Sequence, residues 1–117
     1  MNSSEFVDLV TERVPEAEPT VREHLQDNEG EVLLHLLVAE LRRLAAAWLE
    51  EGVSDSSERL LAVVEAGLSD GDEHVENAIA VSFVEDAAWW EPSSQAFIAT
   101  WPPGLTREVE RQREALP

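Results

Sequence analysis

The sequence predicts an all-α fold, either an irregular bundle or a short solenoid of antiparallel helical hairpins. Apolar side chains recur at helical spacing, and tight turns separate these segments. No stretch shows the convincing period-two alternation of a half-buried strand, and no turn is typical of a β-hairpin. A chain of 117 residues fits one domain, 1–117, that can bury a hydrophobic core.

Residues 31–51 form the longest apolar segment and are expected to be the central helix. Their apolar side chains cover most of a helical circumference, and neither Gly nor Pro interrupts them before Gly52. A helix that is apolar on nearly all sides requires other helices around it. We therefore expect the shorter helices of the chain to pack around 31–51.

Two short helices precede this segment. The first is capped by Ser3 or Ser4 and extends to about Val14, where Pro15 ends it. The second covers 19–26, with a proline in its first turn. An Asp-Asn-Glu-Gly turn follows, and its Asn and Gly tolerate the left-handed backbone that ends a helix.

Two more helices follow the central one. Ser54 or Asp55 is expected to cap a helix that extends to about Leu68, with a glutamate near the capping-box position. A further helix begins at Asp72 or Glu73 and extends to about residue 90. The pattern therefore places an antiparallel partner beside the central helix.

The last part of the chain is divided by prolines. The break at 91–94 leads to a short apolar segment capped by Ser93 or Ser94. A Pro-Pro-Gly sequence then stops the chain, and Thr106 opens a final helix that is mostly solvated. Arg and Glu at three-residue spacing predict weak ion pairs along it.

The net charge of the chain limits the classes of partner that it is expected to bind. It has 25 acidic residues against 8 basic ones, all arginine, and a formal net charge of −17. Such a field repels the phosphates of nucleic acids and anionic membranes, so we expect neither as a partner. A basic protein would be attracted, with faster encounter at low salt. Alternatively, the acidity only aids solubility.

Several features favour a cytoplasmic protein. The absence of cysteine excludes disulfides and thiolate zinc sites, and the N-terminus lacks a secretory signal pattern. The central helix is long enough to cross a bilayer, but charged residues such as Glu31, Glu40 and Arg42 interrupt it. Burying each in lipid costs about 3 kcal/mol. We therefore expect no membrane segment.

Histidine offers a candidate metal site. Glu31 and His35 lie one turn apart if 31–51 is helical, which would place both on one face. Zinc needs three or four ligands, and His24 and His74 belong to other predicted helices. A structural role for the histidines is favoured, and a metal-binding protein or enzyme using His35 and Glu31 stays an alternative.

Two acidic motifs are candidates for a chemical role. Residues 70–73 resemble a fragment of a calcium loop but lack ligands over twelve positions, so a helix start is favoured. Glu85 and Asp86 are adjacent carboxylates that could perform acid–base chemistry. A structural bond from Glu85 to Arg42 or Arg43 is favoured. Without a phosphate loop or a GxSxG nucleophile motif, we expect neither enzymatic activity nor a cofactor.

The adjacent tryptophans indicate a surface site. Neighbouring side chains on a helix point about 100° apart, so one of Trp89 and Trp90 should be buried and the other exposed. Tryptophan is enriched at interface hot spots. An exposed Trp90 beside Glu85 and Glu91 would suit a basic, partly apolar partner. Alternatively, both rings cover the end of the bundle against Trp101.

Three stretches carry a family resemblance. They are REHLQDNEGEVLLHLLVAELRR at 22–43, LLAVVEAGLSDGDEHVENAIAVSFVED at 60–86 and PPGLTREVE at 102–110. Together they resemble an uncharacterised family of small all-helical bacterial proteins, a domain of unknown function. Its members look similar to immunity proteins that accompany secreted toxins. The resemblance implies a toxin-immunity role and supplies no catalytic residues.

We therefore predict a cytoplasmic, non-enzymatic acidic module that binds a basic protein. An immunity or antitoxin protein that covers a basic toxin, such as the active site of a nuclease, is the specific hypothesis. An alternative is a structural or scaffold domain whose acidity only aids solubility. The predicted partner-binding residues are Asp70, Asp72, Glu73, Glu76, Glu85, Asp86, Trp90 and Glu91.

Overall fold

The computed structural model describes residues 1–116, and helices account for most of them. No strand occurs among these residues, so the predicted all-α fold is confirmed. The seven α-helices are α1 Ser3–Arg13, α2 Glu18–Asp27, α3 Leu34–Glu50, α4 Ser54–Asp70, α5 Glu73–Ile79, α6 Gln95–Ile98 and α7 Pro103–Glu114. The shorter pieces are a π-helical segment, Ala80–Glu85, and the 3₁₀ turns Pro15–Ala17 and Pro92–Ser94.

The helices form an irregular bundle. Helix α4 contacts α1, α3, α5 and α7, and α3 contacts α2, α4, α5 and the π-helical segment. The terminal ammonium of Met1 donates to the carbonyl of Asp70 at 2.6 Å, and Arg59 donates to the carbonyl of Arg13 at 3.1 Å. These bonds join opposite ends of α1 and α4, so the two helices are antiparallel. Contacts between helices distant in sequence favour the bundle over a solenoid.

The core lies between α1, α3, α4, α5 and α7. Helix α3 packs against several helices, but it is not enclosed on all sides as predicted, because Leu36 on its outer side is 44% exposed. Helix α4, of the same length, has seven buried residues against five in α3. The largest fully buried apolar side chains are Phe6, Phe83, Leu37, Leu41, Leu60, Leu61, Ile79 and Leu105.

Helix α3 begins at Leu34, whereas the sequence predicted a start at about 31. The backbone N–H of Leu33 donates to Nε2 of buried His24 at 3.1 Å. The other ring nitrogen, Nδ1, lies 2.9 Å from a carboxylate oxygen of Glu40. Because Nε2 accepts a hydrogen bond, the ring proton belongs on Nδ1, which donates to Glu40. The side chain of His24, which belongs to α2, thus accepts a hydrogen bond at the start of α3. It has the structural role predicted for it.

The cap of α1 is Asn2, so the prediction of Ser3 or Ser4 was wrong. The Asn2 side chain accepts from the N–H of Glu5 at 2.9 Å, and the Glu5 carboxylate accepts from the N–H of Asn2 at 3.0 Å. This is a capping box, shifted by one or two residues from the predicted position. The extended backbone at Asn2 turns its side chain towards the first helical turn.

The cap predicted for α4 was also wrong. Val53 occupies the N-cap position, where no side chain bonds the first turn, and neither Ser54 nor Asp55 has this role. The buried hydroxyl of Ser57 instead donates to the carbonyl of Ala45 at 3.0 Å and links α4 to α3. The turn that precedes α4 closes on Gly52, which has a φ of +80°.

The helix predicted to reach residue 90 ends at Glu85. Its last part is π-helical, and Ala88 then takes a left-handed φ of 52°. Ser94, predicted as a cap, donates instead to the carbonyl of Ala87 at 2.7 Å, and Gln95 donates to the carbonyl of Trp89 at 2.8 Å. These side chains provide hydrogen-bond donors for the backbone carbonyls of Ala87 and Trp89, which lie in an irregular segment.

The last helix begins at Pro103, three residues before the predicted Thr106. The carboxylate of Glu65, on α4, accepts from the backbone N–H groups of Gly104 and Leu105, each at 2.8 Å. A side chain distant in sequence thus caps the start of α7. That partner could not be identified from the local pattern.

Candidate binding surface

An acidic groove of about 970 Å³ lies between the start of α5 and the middle of α7. It brings together three of the predicted partner-binding residues, Asp72, Glu73 and Glu76. Glu108 and Arg111 of α7 form the opposite side. Three carboxylates at the start of α5 therefore lie opposite the Glu108 and Arg111 side chains of α7, with His74 as the other titratable group.

The three acids of α5 differ in their partners. Asp72 caps α5, because its side chain accepts from the N–H of Val75 at 2.9 Å, as the sequence predicted for a helix start. Glu73 and Glu76 are exposed and form neither a salt bridge nor a side-chain hydrogen bond within residues 1–116. They are therefore the carboxylates of this groove that are free to meet a partner.

The far side of the groove is held by an ion pair. Arg111 donates to both carboxylate oxygens of Glu108, at 2.8 and 2.7 Å, and Gln112 donates to Glu108 at 3.0 Å. Burial raises the pKa of Glu108, but the hydrogen bonds from Arg111 and Gln112 outweigh it, so that pKa lies below its usual value. The hydrogen bond to Glu108 raises the pKa of Arg111, and the negative charge of Glu76 across the groove adds to that rise. The charge of Arg111 is thus balanced within the protein.

The tryptophan prediction is confirmed in its geometry. Trp89 is 6% exposed, its indole N–H donates to Gln112 at 2.9 Å, and the Arg113 guanidinium lies 5.5 Å from its ring centre. Trp90 is 56% exposed and meets Trp89 edge to face, with ring centres 5.3 Å apart. Trp101 packs instead against Phe83 and Phe97, with ring centres 5.5 Å apart in each pair, so the alternative in which all three tryptophans pack together was wrong.

A second cleft, of about 480 Å³, lies beside Trp90. Its apolar lining residues are Trp89, Trp90, Ala115 and Leu116, and Glu85 also lines it. Arg111 lines both this cleft and the acidic groove, so the two depressions are adjacent. Leu116 is 61% exposed, which extends the apolar patch around Trp90.

Asp86 and Glu85 have different partners. Asp86, and not Glu85, accepts from Arg42 of α3 at 2.9 Å, so the structural pairing predicted for Glu85 is made by its neighbour. Both carboxylates and Trp90 also line a further depression of about 340 Å³. Glu85 has no ion-pair partner within residues 1–116.

Two predicted residues lie outside these depressions. Asp70 is exposed at the end of α4, where its backbone carbonyl accepts from the terminal ammonium. Glu91 is exposed at the start of the Pro92–Ser94 turn. Sequence reasoning missed Glu108, Arg111 and Leu116. The three-residue spacing of Glu108 and Arg111 was visible, but nothing local placed that pair opposite α5.

The structure lacks the helical spacing of Glu31 and His35 on which the metal-site hypothesis depends. Glu31 precedes α3 and is not one helical turn from His35. His35 Nδ1 lies 2.9 Å from the Ser82 hydroxyl, and its ring centre lies 6.0 Å from that of His74. In the part of the chain that the structure describes, no three His, Asp or Glu side chains are grouped to hold a metal ion.

Comparisons with known proteins give a family without an assigned activity. Within residues 1–116, none of the helices combines the length and hydropathy needed to span a membrane. Neither a curated protein nor a solved structure matches the chain. Residues 7–115 match the family described as Domain of unknown function (DUF7674). Because this match covers nearly the whole chain, the protein belongs to the DUF7674 family.

Proposed function

We propose that this protein is a non-enzymatic binding module that holds a basic protein against the acidic groove between α5 and α7. The observation that carries the proposal is the position of Glu73 and Glu76. They lie in one open groove, unpaired within the described residues, opposite an arginine that Glu108 already neutralises. These two carboxylates attract a cationic surface, and within residues 1–116 binding breaks no hydrogen bond or salt bridge of theirs.

The distribution of charge over the molecule supports this proposal. Among residues 1–116, only six acidic side chains lie within salt-bridge distance of an arginine. The chain has 25 acidic residues in all, so most of its negative charge faces solvent. A field of this kind accelerates the encounter with a basic protein and weakens as salt is added.

The specific form of the proposal is an immunity or antitoxin role in the cytoplasm. A nuclease binds phosphates with a basic surface, and a row of carboxylates competes for that same surface. An acidic groove of about 970 Å³ suits this competition, because it presents negative charge along a concave surface. The family resemblance noted for residues 22–43, 60–86 and 102–110 adds support for this role.

A capture experiment tests the proposal. The full chain is immobilised and exposed to extract from its native host, in parallel with a Glu73→Gln/Glu76→Gln variant. Asp72 is left unchanged because it caps α5. We expect the wild-type chain to retain a basic protein that the variant retains several-fold less well.

A matched variant controls for net charge. Glu12→Gln/Glu58→Gln removes the same two charges from exposed positions on α1 and α4. This control should retain the partner as the wild-type chain does. Equal loss in both variants would show that only the overall charge matters, and capture that is insensitive to salt would contradict the proposal.

A further inference from the structure

We propose that the cleft beside Trp90 receives an arginine side chain of the basic partner. The guanidinium would stack on the exposed indole while Glu85 pairs with its charge. This inference rests on the proposed function, since it names the side chain by which the basic partner is anchored. It concerns a different depression from the groove of Glu73 and Glu76, so the two can be tested separately.

The cleft is anionic although an arginine lines it. Arg111 is bound by both oxygens of Glu108, at 2.8 and 2.7 Å, so its charge is balanced. Glu85 is exposed and has no ion-pair partner within residues 1–116, which leaves it as the uncompensated charge at the edge of the cleft. A cationic side chain therefore complements the cleft better than a neutral or anionic one.

The aromatic part of the cleft favours arginine. A guanidinium is planar and weakly hydrated, so it stacks on an indole face more favourably than an ammonium does. The neighbouring Trp89 already makes this interaction within the molecule, with the guanidinium of Arg113 at 5.5 Å from its ring centre. Trp90 is 56% exposed, and this exposed part of the side chain is open to a partner.

Charge excludes the other occupants of an apolar surface. A second copy of the chain would bring its own charge of −17 against the cleft. Nucleic acids and anionic membranes carry the same sign and are also repelled. The apolar wall formed by Trp90 and Leu116 provides contact area for the methylene groups of an arginine side chain.

Two synthetic peptides test the inference at low salt. One alternates glycine with arginine over eight residues, and the other has lysine at the same positions. Each is titrated into the full chain while the indole N–H signals and the tryptophan fluorescence are followed. We expect the arginine peptide to bind about two- to threefold more tightly and to shift the Trp90 signal, because its guanidinium stacks on the indole as an ammonium does not.

Two variants separate the stacking from the charge. Trp90→Leu keeps an apolar side chain but removes the aromatic face, so it should abolish the preference for arginine. Glu85→Gln should weaken both peptides and leave part of that preference. Circular dichroism checks that each variant keeps its helices, which the exposure of both side chains leads us to expect.

The outcomes distinguish this inference from the proposed function. Equal binding of the two peptides, or an arginine preference that survives in Trp90→Leu, would overturn the inference. If Glu73→Gln/Glu76→Gln weakens both peptides in that case, the acidic groove is retained as the binding surface. Loss of the arginine preference only in Trp90→Leu supports the cleft whatever the groove variant does. No binding of either peptide at low salt overturns the inference, whereas the proposed function is decided by the capture experiment.

Discussion

The acidic residues of this protein differ according to the group that faces each carboxylate. Asp72 and Glu65 accept backbone N–H groups at helix starts, and Glu108 holds an arginine. Glu73 and Glu76 meet solvent. The composition alone predicts an acidic surface, but only these contacts show which carboxylates are already engaged and which are free to bind.

Glu16 provides a prediction about pH. Hydrogen bonds from Arg59 and Ser56 lower its pKa from 4.5 to about 2. Because the pKa in the folded state lies below the ordinary value, the pair stabilises the fold fully above pH 4.5, and this contribution is lost as the pH falls towards 2. A carboxyl titration by NMR should show the low value in the wild-type chain and a clearly higher pKa in Arg59→Leu, still below 4.5 because the hydrogen bond from Ser56 remains. An unchanged titration of Glu16 in that variant would refute the assignment to Arg59.

Gly67 provides a prediction about packing. A Cβ atom at this position would lie 2.6 Å from Cδ1 of Ile79 and 2.9 Å from Phe6, where α1, α4 and α5 meet. Alanine favours a helix by about 1 kcal/mol over glycine, but overpacking costs about 1–3 kcal/mol, so Gly67→Ala should destabilise the fold. Urea denaturation measures the change, and adding Ile79→Val should restore part of it by removing Cδ1. A more stable Gly67→Ala protein would contradict this packing.

At the scale of elements, the sequence predicted where the helices lie more accurately than where they begin and end. The periodic apolar residues of α3 and α4 located both helices, because that pattern is local. The starts of α3 and α7 depend on His24 and Glu65, which lie on other helices, so no local signal could place them. The π-helical end of α5 was missed because residues up to Trp90 retain an apolar helical pattern.

Removal of the Glu65 cap should weaken the docking of α7. In Glu65→Ala the N–H groups of Gly104 and Leu105 lose their acceptor, and we expect a loss of about 1–2 kcal/mol in the free energy of unfolding. Chemical denaturation measures it. Glu58→Ala removes an exposed glutamate from the same helix and should change stability by less than about 0.5 kcal/mol. Equal effects of the two substitutions would argue against capping by Glu65.

At the scale of the whole molecule, the all-α class was predictable because it depends on the period of the apolar pattern. The candidate binding surface was predictable only in part. The sequence identified Glu73, Glu76 and Trp90, whereas α7 supplies the opposite wall of the groove with Glu108, a residue far from Glu76 in the chain. Such a juxtaposition depends on tertiary packing, and no local sequence pattern indicates it.

Added salt should stabilise the isolated protein. A net charge of −17 on 117 residues makes the compact state repel itself, and salt screens this repulsion. We therefore expect the thermal midpoint to rise by several degrees between about 0.01 M and 0.1 M salt, over which the Debye length falls from about 30 to 10 Å. Calorimetry measures it. A falling midpoint would show that attractive ion pairs dominate the surface.

The most direct measurement is the association rate constant of the wild-type chain with its captured basic partner, at about 0.01 M and 0.1 M salt. If the exposed carboxylates steer that partner, the rate should fall about tenfold or more at the higher salt, and Glu73→Gln/Glu76→Gln should reduce it at the lower salt. A rate that does not change with salt, or a partner that carries no basic surface, would contradict the account.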